Sequence, residues 1–134
     1  MASDKRIKGL SIQIDGDTTG LTEALHDVNK SITSTQAQLK DVEKLLKLDP
    51  ENVELLSQKQ DLLTQAVSKT EEKLNVLKEA AAQAQDQLAE GKISQEQFSA
   101  LQREIAATEI ELKRYNSQLD TAADATEDLG LSLI

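Results

Sequence analysis

The feature that most constrains this chain is the spacing of its apolar residues, which recur in alternating steps of four and three. One row runs Leu21, Leu25, Val28, Ile32, Thr35, Leu39, Val42 and Leu46. A second runs Leu56, Gln60, Leu63, Val67, Thr70, Leu74, Leu77, Ala81, Ala84 and Leu88, and a third Phe98, Leu101, Ile105, Thr108, Leu112, Tyr115 and Leu119. Such steps average about 3.5 residues, so each row lies along one face of an α-helix. A helix with one apolar seam gains its stability by packing that seam against another element. Composition sharpens the point. Phe98 and Tyr115 are the only aromatic residues, so any core is built from Leu, Ile, Val and Ala. That suits narrow helix–helix seams better than a broad globular interior. At 134 residues the chain has the length of one domain.

The joints between the seams carry their own signals. Around "LKLDPENVELL" the only proline, Pro50, separates the first seam from the second. Read as a helix start, Asp49 is the N-cap, Pro50 occupies the first helical position, Glu51 favours the helix dipole, and Leu48 and Val53 form a hydrophobic staple. The residue before a proline is pushed out of helical geometry, so the first helix stops by Asp49. So short a link folds two helices back as an antiparallel hairpin. The second seam ends at "AEGK", where Gly91 can adopt the left-handed conformation that closes a helix. The third opens at "ISQEQF": Ser94 and Gln97 form a capping box, with Ile93 and Phe98 as a staple.

Near the N-terminus the period changes to two. In "IKGLSIQID" Leu10, Ile12 and Ile14 alternate with Gly9, Ser11 and Gln13, the pattern of a short strand with one face buried. "DGDTTG" then supplies turn chemistry, and Asp17, Thr18 or Thr19 could cap the first helix. A lone strand leaves backbone groups unpaired, so its partner is expected in another chain or in a part of the natural protein absent from this sequence, unless the segment is a disordered arm.

Together these observations predict an all-α fold: an antiparallel three-helix coiled coil with helices at about 20–48, 50–90 and 94–122. Residues 1–19 form the strand or arm and residues 123–134 an acidic flexible tail. Folding about the joints sets Leu39 near Gln60, Leu25 near Leu74, Ala84 near Leu101, and Thr70 near Tyr115, whose hydroxyl Thr70 could partner. Thr35, Gln60, Thr70 and Thr108 are polar residues on apolar seams. Register control is their ordinary role, and a functional cavity the rarer one. A second stripe on the middle helix, Leu55, Leu62, Ala66, Val76 and Ala80, either widens the core face or forms a self-association surface. The off-seam Ile110 favours self-association. Leu10, Ile12, Ile14, Leu55, Leu62, Val76 and Ile110 are therefore the candidate oligomer or partner contacts, and a homo-oligomer is expected.

Several function classes are disfavoured. Net charge is −9, which repels phosphate backbones and argues against direct nucleic-acid binding. Lys alternates with Asp and Glu in "KDVEKLLK" and "KTEEKLNVLK", as on a solvated helix surface. No apolar run approaches the ~18 residues of a membrane span. Cysteine is absent, so there is no disulfide framework or thiolate metal site. His26, the only histidine, sits beside Glu23 and Asp27 on a polar face. "DGDTTG" lacks the downstream glutamate of a calcium loop. With no nucleophile, base and pocket in evidence, the chain reads as a non-enzyme without cofactor or metal.

Several phrases in order carry a resemblance: "IKGLSIQIDGDTTGL", "ALHDVNKSI", "QLKDVEKLLKLDPENVELL", "QKQDLL", "ISQEQFSALQREI" and "ELKRY". From about Ile7 to Leu119 the chain resembles the N-terminal region of tail tape measure proteins of long non-contractile-tailed phages and prophages of Gram-positive bacteria. The resemblance implies a structural component that lies in the tail lumen in several copies, sets tail length, and leaves ahead of the DNA. It also implies tail chaperone and tail-tube proteins as partners, and location in the virion tail after assembly in the bacterial cytoplasm. Tape measure chains are usually far longer, and this one would span only ~200 Å as one continuous helix. It is therefore expected to be an N-terminal fragment or a truncated prophage remnant. A remnant could instead serve as a coiled-coil module that recruits a phage or host protein. "LKLDPEN" is also similar to the join between tetratricopeptide repeats, but no 34-residue period recurs.

Overall fold

The computed structural model describes residues 7, 9–14 and 16–128, with side chains as far as Asp124. Among the described residues a β-hairpin, β1 (Ser11–Ile14) and β2 (Asp17–Gly20), precedes three helices: α1 (Leu21–Leu48), α2 (Val53–Ala89) and α3 (Gln95–Asp128). The helices pack as an all-α bundle. Antiparallel order follows from which residues share a core. Leu21, Leu25, Val28 and Ile32 at the start of α1 meet Leu77, Ala80 and Ala84 late in α2, and Ala100 and Leu101 early in α3. At the other end Leu39 and Val42 meet Leu62, Leu63 and Ala66, with Tyr115 and Ala122 of α3. The seams are buried as their spacing requires: on α1 every seam position from Leu21 to Val42 is buried, and Leu46 half so.

The joint at the proline folds back as expected, but its chemistry differs. α2 begins at Val53, and its N-cap is Asn52, whose Oδ1 accepts from the Leu55 amide at 3.0 Å. Asp49 closes α1 instead. Asp49 O accepts from the Asn52 amide at 3.2 Å, so Pro50 sits second in a tight turn rather than first in a helix. The side chains favour this arrangement: Asn52 Nδ2 also donates to Asp49 Oδ2 at 3.1 Å. No staple forms, since Leu48 is 84% exposed and Val53 50%.

The other joint follows its sequence signals closely. Gly91 has φ +75°, the Lys92 amide donates to Gln87 O, and the Gly91 amide to Leu88 O. This is the paired closure that a left-handed residue permits. Ser94 Oγ accepts from the Gln97 amide at 3.1 Å while Gln97 Oε1 accepts from the Ser94 amide at 2.9 Å. Ile93 and Phe98 both pack on the core around Leu101.

The N-terminal strand departs from expectation. Its partner is not another chain but β2, with Ile12 opposite Thr19 and Ile14 opposite Asp17. Gly16, at φ +86°, turns the chain between them. "DTTG" lacks apolar alternation because it pairs through its backbone while its side chains stay exposed or half-buried. Gly20, not Asp17, Thr18 or Thr19, precedes α1, and it makes no side-chain cap. The Leu21 amide donates instead to Leu10 O at 2.8 Å, which ties α1 to the hairpin. At the other end α3 continues through 123–128, where a flexible tail was expected. The rest of that tail, 129–134, lies outside the described residues, as do residues 1–6, 8 and 15.

Candidate functional site

The candidate contact residues divide sharply. Leu10, Ile12 and Leu62 are buried inside this chain, so none presents a surface to a partner. Leu10 and Ile12 join Ile7 in the core at the hairpin end. Leu62 belongs to the core at the proline end, which makes the second stripe of α2 a widening of its core face. Leu55 and Val76 are half-buried against the same two cores. Ile14 is 37% exposed and Ile110 66% exposed. They lie on different elements and form no common patch with the buried candidates.

The edge of β1 away from β2 is not open either. Gln83 on α2 meets the backbone of Gln13 twice: its Oε1 accepts from the Gln13 amide at 2.7 Å, and its Nε2 donates to the Gln13 carbonyl at 3.0 Å. One carboxamide thus supplies the donor and acceptor that a neighbouring strand would. Gln87 Nε2 donates to Ser11 O at 3.2 Å. Two glutamines one helical turn apart therefore cover the edge, a feature that seam analysis passes over because both lie off the seam. Lys92, in the turn that follows α2, is held above the usual 10.5 by its hydrogen bond to Glu90 at 2.8 Å and by that carboxylate's charge.

Sequence reasoning also missed an exposed apolar tip. Leu45, Leu48 and Val53 flank the proline turn with half or more of their surface in solvent. Leu45 and Leu48 lie off the α1 seam, which was the available signal.

Between the two cores the bundle becomes polar. Three threonines are buried, one on each helix: Thr35, Thr70 and Thr108. Each falls between the two apolar clusters along its own helix: Thr35 between Ile32 and Leu39, Thr70 between Val67 and Val76, Thr108 between Ile105 and Tyr115. A cleft of about 220 Å³ opens there among Asn29, Gln36, Thr70, Lys73, Glu104 and Thr108. Lys73 Nζ and Glu104 stand 3.3 Å apart in it, their side chains only 15% and 13% exposed. Thr108 donates to Glu104 O four residues back, as Thr64 and Thr121 do to their own turns. Thr70 does not. Its hydroxyl, on a residue 1% exposed, has no hydrogen-bond partner among the described residues. The expected Tyr115 contact goes elsewhere: Gln36 Nε2 donates to Tyr115 Oη at 2.7 Å.

His26 is exposed. Among the described residues no group of three His, Cys, Asp or Glu could hold a metal ion, and no helix is long and apolar enough to cross a membrane. Compared with protein families, curated proteins and solved structures, the chain matches none. What the polar layer holds is one ion pair, Lys73–Glu104, and three buried threonine hydroxyls, one from each helix.

Proposed function

We propose that this chain is a structural, non-enzymatic phage tail component: the N-terminal segment of a tape measure protein, which self-associates during assembly and helps set tail length. The observation that carries this reading is where the resembling phrases fall. "LSIQIDGDTTGL" contains the hairpin, "LLKLDPEN" spans the α1–α2 turn, and "ISQEQF" is the α3 capping box. Three of the six resembling phrases thus fall on the joints that set the fold, which heptad composition alone does not supply, while "ALHDVNKSI", "QKQDLL" and "ELKRY" lie within the helices. Tail chaperone and tail-tube proteins are the partners this reading names, and the virion tail its place.

The test has two arms. Light scattering over rising concentration is expected to show a reversible increase from monomer to a defined oligomer, and a monomer throughout overturns self-association. Removing residues 20–122 from the coding sequence is expected to abolish tails or change their length in electron micrographs, and tails of normal length and number overturn the tape measure role. A second reading, a coiled-coil module that recruits a phage or host protein, is favoured by the exposed Leu45, Leu48 and Val53 tip. It predicts that charges placed at these positions abolish partner capture while tail length stays normal.

A further inference from the structure

We infer that the bundle is built as two separately opening halves, with the threonine layer as the boundary and the proline-turn half as the one that opens. The boundary follows from packing. Cooperative unfolding spreads through contiguous apolar contact, and the two apolar clusters share no member across the layer. Separating the helices at Thr35, Thr70 and Thr108 exposes hydroxyls and the Lys73–Glu104 pair, groups that water solvates well, together with Leu74, a buried apolar residue one turn from Thr70 that belongs to neither cluster. Thr70 Oγ1 gains a hydrogen bond on opening that it lacks in the closed bundle. A boundary placed anywhere else cuts through one of the two contiguous apolar clusters.

Which half opens follows from what holds each end. At the hairpin end Ile7, Leu10 and Ile12 add a further layer over the helices, the Leu21 amide is tied to Leu10, and Gln83 and Gln87 hold β1 on α2. The α2–α3 joint there is closed at both its glycine and its capping box. The proline-turn half has no covering element among the described residues. It leaves Leu45, Leu48 and Val53 in solvent, and a 2.7 Å bond from Gln36 to Tyr115 links α1 to α3. Opening bares Leu39, Val42, Leu62 and Leu63 while the hairpin end stays folded.

Hydrogen–deuterium exchange of the intact chain, read by mass spectrometry or NMR, tests this directly. Amides of residues 39–66 and 112–122 are expected to exchange as one group, about tenfold or more faster than those of 21–32, 77–88 and 98–105. Exchange of both groups at one common rate overturns the inference, and so does faster exchange of the hairpin half. The triple variant Thr35→Val, Thr70→Val, Thr108→Val is expected to slow the turn half about tenfold and merge the two groups. Thr70→Val alone should act in the same direction, so the inference stays testable if the triple variant misfolds. Exchange of the turn half that is unchanged or faster in a folded Thr70→Val variant overturns the role of the layer.

Discussion

The two ends of this bundle are built from one helical pattern and finished differently. Both bury Leu and Val in steps of four and three. At the hairpin end those seams are covered by a third element, and the joint is closed by reciprocal hydrogen bonds. At the proline end a tight turn reverses the chain, and apolar side chains next to it remain in water. The comparison teaches that a heptad seam specifies pairing but not closure. How firmly an end is held depends on what lies beyond the seam.

Core truncation gives the largest expected effect and the hardest test of this contrast. Leu101→Ala, at a fully buried site beside the hairpin layer, is expected to lower stability toward the upper part of ~2–5 kcal/mol in urea denaturation. Leu62→Ala in the turn half is expected toward the lower part of ~2–5 kcal/mol, because a half that already opens can relax around the lost atoms. Equal costs would break the comparison. Next in size is the glutamine clasp. Gln83→Ala removes both bonds to Gln13 and should cost about 1–2 kcal/mol, with selectively faster exchange of the Gln13 amide. If that amide exchanges as slowly as before, the clasp does not hold the strand.

The helix caps sharpen the contrast at a smaller scale. Ser94→Ala and Asn52→Ala should each cost about 1 kcal/mol in thermal melts, with Ser94 the more costly because its bond to Gln97 is reciprocated. The smallest effect is at Ile110. Ile110→Lys should change monomer stability by less than about 0.5 kcal/mol, since the side chain is two-thirds exposed. Under the proposed self-association, the same variant should raise the concentration at which mass rises above the monomer in light scattering, and an unchanged concentration dependence would remove Ile110 from the proposed contact surface.

Much of this architecture was legible in advance, for reasons that differ by element. Seam burial on α1 was readable because periodicity acts through local geometry: residues three and four apart share a face whatever packs on it. The Ser94 cap was readable because all its partners lie within a few residues. The proline joint was half legible. Pro50 ends α1 wherever it stands, but whether it opens a helix or a turn depended on Asp49 and Asn52 bonding one another. The candidate contacts were the least legible. Leu62 and Ile110 look alike as off-seam apolar residues, yet one is core and the other surface. Only the neighbouring helix distinguishes them.

What the sequence determined by itself is the number of helices, the face each buries, and the places where the chain must turn, because these arise from interactions within a few residues. What only the tertiary structure decided is the company those faces keep. Gln83 serves as a strand for Gln13, Gln36 takes the Tyr115 hydroxyl that Thr70 does not, and three threonines from three helices fall between two cores. Those pairings join residues some seventy or more apart, or depend on how two seams slide past one another, and local propensity carries no information about either.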